Sequence, residues 1–329
     1  MEKGLIIAIL QSLAVGDAFG KATEFASRSQ IQRSFSSIDT LLQPIEALAH
    51  KDMRYAQVTD DTEQNFFLIE DYTEAGEISA EVAAKSLLRW IDESPEPEKY
   101  IGPSTSRALK VLKAGGDIGT AGIHGTSCGG VMRVPAAFLC SASRKELQHN
   151  IIATLLPTHN TAAAMEAAFG YGYALLEAIE TKDMERITRA AVEGCARGRR
   201  YINKDGDLTC EPSCEHRIRH IVKELPEFES DDALLDFLFY VFGATISSCD
   251  VFVASFVLFL WAREDVFLAI RLATMLGGDT DTIACLAAVL CCTYAKGHNI
   301  PVDILQAVEQ NNNIDFSNLA DKIVEFTKK

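Results

Sequence analysis

The chain has 329 residues, 48% apolar and 23% charged, a size and balance at which folding buries roughly three quarters of the surface the unfolded chain exposes. Its 21 Gly and 9 Pro exclude collagen-like and Pro/Gly-rich disordered classes and leave a globular protein. With 31 Lys and Arg against 46 Asp and Glu, the formal charge is −15, which repels phosphate backbones and argues against a nucleic-acid partner.

Gly4 to Val15 is apolar enough to resemble a signal segment. Glu2 cancels Lys3, however, Gln11 and Ser12 interrupt the run, and Asp17 follows, so it reads as a core helix. Ala8, Ser12, Gly16 and Gly20 recur every four residues, a row of small side chains that lets a neighbouring helix approach closely. Helical periodicity continues over Asp61 to Ala75, Ser79 to Ile91, Ser104 to Ala114, Ala162 to Ile179, Ala233 to Phe242, Val251 to Trp261 and Asp281 to Lys296.

Between Phe237 and Ala262 only Asp250 is charged, a length that would span a membrane. Gly243, Thr245, Ser247 and Ser248 break the run, which predicts two buried helices with a break near Ser247 and no membrane partner. Breakers cluster at Ser94 to Pro97, Gly115-Gly116, Gly119 to Gly130, Asn203 to Pro212 and Gly277-Gly278, as loops between helices. There is no tandem repeat and no persuasive alternating strand, so the expectation is an all-α fold in a single domain, 1–329. Nine cysteines are an odd number. Cys285, Cys291 and Cys292 lie in apolar helical sequence, and the thiols read as small buried hydrophobes in a reducing cytoplasm.

The most informative residues are two clusters of acids and threonines at helix starts. Val58 to Glu63 opens one helix and Gly277 to Thr282 opens another, near the opposite end of the chain. Helix capping explains one acid at each start. It does not explain the adjacent pair Asp60-Asp61 or the close pair Asp279 and Asp281, whose crowded charges are offset best by a cation. Carboxylate and hydroxyl oxygens without an adjoining Cys or His favour Mg²⁺ or Mn²⁺, with Ca²⁺ open and Zn²⁺ disfavoured. Four carboxylates would neutralise two such ions.

These clusters, with Gly16-Asp17-Ala18-Phe19-Gly20, Glu24, Cys128 to Val134 and Thr158-His159, resemble in order the ADP-ribosylglycohydrolase family, which includes dinitrogenase-reductase-activating glycohydrolases. The resemblance runs from Gly16 to about Gly297. It implies a compact, orthogonal multi-helix domain with a binuclear Mg²⁺ or Mn²⁺ centre. By resemblance, the metal ligands are Thr59, Asp60, Asp61, Asp279, Asp281 and Thr282, and Glu24 matches a glutamate that reaches or gates the metals. Gly125, Thr126, Ser127, Cys128, Gly129, Gly130 and His159 match the cleft that receives ADP-ribose. Ala8, Ser12, Ala288 and Cys292 stand where relatives often have glycine, and His124 and Thr126 make the loop before Cys128 the least transferable part.

The implied activity is hydrolysis of the N- or O-glycosidic bond between ADP-ribose and an acceptor, by default protein arginine, with ADP-ribose as product. Glu24, Asp60 and Asp281 are the expected catalytic groups. An oxocarbenium-like transition state would be stabilised by the surrounding carboxylates. A non-catalytic ADP-ribose-binding or crystallin-like member is the alternative. A prenyl or terpene synthase shares an acidic helix motif, but the second cluster here ends a Gly-Gly loop, where that class requires ligands spaced along a helix.

Three further motifs have two readings each. Arg133 is either a phosphate partner or a structural ion-pair partner. Pro157 to Asn160 reads as a helix entry with Thr158 as N-cap, where His159 is structural or meets an anion as a neutral donor. Cys210, Cys214, His216 and His220 leave no loop between zinc-ligand pairs, so a polar loop and helix is the favoured reading over a zinc site. Glu224 to Asp232 reads as a solvated acidic rim.

Overall fold

The computed structural model describes residues 1–201 and 211–328. Among them are seventeen α-helices and no strand. The first half comprises α1 (Lys3–Gly20), α2 (Arg28–Ser34), α3 (Asp60–Ala75), α4 (Ala80–Glu93), α5 (Pro103–Lys113), α6 (Ile118–Ala121), α7 (Val134–Leu139), α8 (Arg144–Leu155) and α9 (Ala162–Glu180). The second comprises α10 (Met184–Arg199), α11 (Cys214–Glu224), α12 (Asp231–Phe237), α13 (Ser248–Ala262), α14 (Val266–Leu276), α15 (Thr280–Ala295), α16 (Val302–Asn312) and α17 (Phe316–Phe326).

The row of small residues on α1 does what its spacing predicts. A methyl group at Gly16 would lie 2.8 Å from the Ala284 backbone, and one at Gly20 would lie 2.4 Å from Thr280 O, so α1 and α15 touch nearly backbone to backbone. Both helices are buried almost throughout, and α9, α13 and α14 pack around α15. One continuous apolar core extends from Ile6 on α1 to Ile323 on α17. The Lys3–Thr23 segment is long and apolar enough to cross a membrane by length and composition, but most of it is buried inside the molecule.

Local chemistry sets the helix starts. Ser79, Ser143, Thr161, Asp183, Ser213 and Ser230 each accept a backbone N–H of the first turn, satisfying donors that have no partner within the helix. The expected break near Ser247 is present, since Ser247 is the N-cap residue of α13. Upstream of it, α12 ends at Phe237 and the chain continues as a wider helical turn over Leu238–Phe242. The expected helix entry at Thr158 is displaced: Thr161 caps α9, and Thr158 bonds sideways to Arg133 instead. The acidic rim is also more than a solvated face. Asp232, its last residue, and Asp236, four residues beyond, hold the fully buried guanidinium of Arg28.

Candidate metal centre

Asp17, in the last turn of α1, organises the first acid cluster. Its carboxylate accepts the Thr59 N–H at 2.9 Å, the Thr62 N–H at 3.1 Å and the Thr62 hydroxyl at 2.6 Å. A side chain from another helix thus satisfies donors at the start of α3, which leaves Asp60 and Asp61 free of capping duty. Thr59 is the N-cap residue and receives a 3.4 Å bond from Asp61 N–H. Lys21, just past α1, donates to the carbonyls of Arg54 and Gln57 and ties the loop leading into α3 to the same floor.

The second cluster is set by the Gly-Gly turn. Gly278 has φ +80°, and a methyl group there would lie 1.8 Å from Ala244 O, so glycine is required on both counts. Gly278 N–H bonds Ala26 O at 3.0 Å, Phe25 N–H bonds Gly278 O at 2.7 Å, and Asp279 N–H bonds Ala244 O at 2.8 Å. Thr280 donates its hydroxyl to Gly20 O at 2.7 Å, anchoring the start of α15 on the end of α1.

The two helix starts converge. The Thr282 hydroxyl lies 3.1 Å from Asp61 Oδ2 and 3.1 Å from Asp279 Oδ1, and shares its proton between them. Glu24, Asp279 and Asp281 each place a carboxylate oxygen within 4.8 Å of the others. Asp60, Asp61, Cys128 and Thr282 join these three around one cavity of about 220 Å³, walled also by Tyr100, Ile101 and Pro103. Asp61 Oδ1 and Asp279 Oδ2 are buried there without any hydrogen-bond partner.

The electrostatics point the same way. Burial first, and then the charge of Asp281, raise the pKa values of Glu24, Asp60 and Asp61 well above the carboxylate range. The same two causes raise Asp279, and they push Asp17 up to about 7. These buried acids, two of them with an unpartnered oxygen, form a set of carboxylate and hydroxyl donors that fits hard divalent cations.

The remaining expected residues divide between wall and support. Ser127, Cys128 and Gly129 line the cavity, while Gly125, Thr126, Gly130, Thr59 and His159 lie outside its lining. Thr126 O accepts Ser248 N–H, and Gly125 O accepts the Thr161 hydroxyl. His159 is fully buried behind Gly129, where a methyl group would meet its ring at 2.8 Å. Its Nε2 lies 3.0 Å from the Ser127 hydroxyl, and burial followed by the Arg133 charge holds its pKa well below 6.5, so the ring is neutral.

Arg133 faces no open surface where a phosphate could reach it and, among the described residues, forms no ion pair. It is fully buried and donates to Gln64, Thr158 and Thr105 at 2.7, 2.6 and 2.8 Å. The zinc reading gains nothing. The Cys214 thiol turns inward to Cys195 and Cys249, His220 stacks on Phe242, and Cys210 lies outside the described residues.

His50 escaped the sequence reading, and Cys128, expected in the substrate cleft, shares the cavity with the acids. His50 reaches Glu24 through a contact between Nε2 and Oε2, and Cys128 lines the same cavity as Asp279 and Thr282. The expectation of a centre without an adjoining His or Cys is therefore corrected. No local spacing carried the His50 signal, because it arrives on a loop from elsewhere in the chain.

The structure joins an all-helical fold to two acidic helix starts that close on one cavity. Residues 3–329 match the ADP-ribosylglycohydrolase family, and the chain belongs to it. This sets aside the prenyl-synthase alternative. The chain is 24% identical over 335 residues to the uncharacterised protein YegU of Escherichia coli (strain K12), spanning 100% of this chain and 99% of YegU. It is 27% identical over 316 residues to an uncharacterised protein of Archaeoglobus fulgidus, spanning 95% and 93% of the two chains. A solved ADP-ribosylglycohydrolase-related protein complex shares the fold, with a TM-score of 0.74 at 22% identity over 99% of this chain and 98% of its own.

Proposed function

We propose that the chain is a divalent-cation-dependent hydrolase that releases ADP-ribose from an ADP-ribosylated acceptor, by default an arginine on protein. The observation that carries this reading is the convergence of Asp60, Asp61, Asp279, Asp281, Thr282 and Glu24 on one cavity in which two carboxylate oxygens have no partner. These six residues would hold a pair of Mg²⁺ or Mn²⁺ ions, with Thr59 supporting Asp61 from behind. When bound, the cations supply positive charge to orient ribose hydroxyls and to lower the pKa of water.

The protein's own groups do the rest. Glu24 lines the cavity with Oε2 in contact with His50, and in this reading its carboxylate takes the proton of a water attacking the anomeric carbon. Positive charge developing on the sugar ring is stabilised by Asp60 and Asp281. Ser127 to Gly129 and Tyr100 to Pro103 line the same cavity and in this reading receive the nucleotide half through polar and apolar groups. Eight cysteines among the described residues are free, which supports a reducing, cytoplasmic setting.

The test is release of free ADP-ribose from an arginine-linked ADP-ribosyl substrate, with and without chelator. Metal-dependent release supports the hydrolase. ADP-ribose binding without release from any of the arginine, serine, nucleobase and O-acetyl conjugates would instead mark a non-catalytic member.

A further inference from the structure

Cys128 is the half-buried member of the eight described cysteines, the other seven being buried, and it faces the acidic cavity. Its backbone is fixed. Its N–H donates to Ile246 O at 2.7 Å, and the preceding residue, Ser127, pairs with Ser247 in an antiparallel bridge. Ser248 donates its hydroxyl to Ser127 O at 2.6 Å, pinning the strip to the start of α13. Cys128 so positioned lines the same cavity as Asp279 and Thr282. Asp279 is itself buried, and its Oδ2 has no hydrogen-bond partner. A sulfur and an unpartnered carboxylate oxygen therefore face the same space.

We propose that Cys128 gives this centre a sulfur donor, so that it takes thiophilic divalent cations, of the zinc and cadmium class, through Cys128 and Asp279. The inference rests on the reading of the acidic cavity as a divalent-cation centre. Oxygen donors alone rank cations by hardness and size, whereas one thiolate shifts the preference toward softer ions. On ligation the sulfur lone pair binds the cation and the thiol proton leaves to solvent, so charge and atoms balance. The consequence is competition: zinc-class ions occupy part of the site that Mg²⁺ or Mn²⁺ would use.

The experiment is a Cd²⁺ titration of the full chain, followed by the ultraviolet thiolate-to-cadmium charge-transfer absorption, alongside Mn²⁺ binding by electron paramagnetic resonance. The wild type is expected to show a saturable band and displacement of Mn²⁺ by Cd²⁺. Cys128→Ser is expected to lose the band and to bind Cd²⁺ about tenfold more weakly or worse, while still binding Mn²⁺. A band of equal size in Cys128→Ser places the sulfur elsewhere and overturns the proposal, as does a wild type that binds Mn²⁺ but shows no band. A wild type that binds neither ion overturns the cation-centre reading itself, and the two failures are thus distinguishable. If Cys128→Ser fails to fold, the wild type titrated with Co²⁺ decides: a thiolate-to-cobalt band supports the proposal, and an oxygen-only spectrum overturns it.

Discussion

The Thr282 hydroxyl lies 3.1 Å from Asp61 Oδ2 across 221 residues of sequence, and equally close to Asp279 Oδ1 in its own helix start. One proton thus bridges two carboxylates that would otherwise repel. Thr282→Val keeps the shape and removes the bridge. The expected result is a cation-free protein destabilised by about 1 kcal/mol and Mn²⁺ affinity reduced about tenfold, read by thermal unfolding and isothermal titration. Unchanged Mn²⁺ affinity would remove Thr282 from the cation site.

Gly20→Ala tests the close contact that brings the two acid clusters together. The added methyl group would meet Thr280 O at 2.4 Å and Asp281 Cα at 2.5 Å, and backbone cannot swing aside as a flexible side chain can. A loss of about 2 kcal/mol in stability is expected, with weaker divalent binding because Asp281 is displaced. Chemical denaturation and Mn²⁺ titration read the two effects separately.

Stability of the cation-free chain should fall as pH rises. Burial, followed by the charge of Asp281, raises the Asp17 pKa from 3.8 to about 7, and the same causes raise Glu24, Asp60, Asp61 and Asp279. The unfolded chain releases these protons near pH 4 while the folded chain holds them, so the folded state loses ground through the window from about 4 to 7. Saturating Mg²⁺ or Mn²⁺ supplies the missing counter-charge and should reverse the trend. Melting curves from pH 4.5 to 8, with chelator and with cation, check both signs.

Arg133→Met should destabilise the fold by about 3 kcal/mol. It leaves the Gln64 carbonyl oxygen and the Thr158 and Thr105 hydroxyls without their buried donor. Burial already pushes the Arg133 pKa down to about 10, a measure of how deeply the guanidinium sits behind the site. Urea unfolding at neutral pH gives the value directly.

Much of the architecture was legible because its signals are local. Small residues every four positions on α1 announce a close helix contact, and the acids crowded beyond what capping requires at Asp60-Asp61 and Asp279-Asp281 do meet around one cavity. The break at Ser247 follows from polar residues interrupting an apolar run. What stayed hidden depends on tertiary geometry. His50 and the burial of His159 behind Gly129 are set by loops crossing from other parts of the chain. Thr158 looked like a cap because its type suits one, but Arg133 takes its hydroxyl and Thr161 caps α9 instead. Asp17 appeared as part of a motif, and its role as a cap for another helix required the fold.

The number of Mn²⁺ ions bound per chain, counted by electron paramagnetic resonance for the wild type, Asp60→Ala and Asp281→Ala, tests the central claim most directly. Two ions in the wild type, with loss of binding in each folded variant, is the result predicted by paired acidic helix starts facing one cavity. An undiminished count in both variants, or a wild type that takes up none, would contradict it.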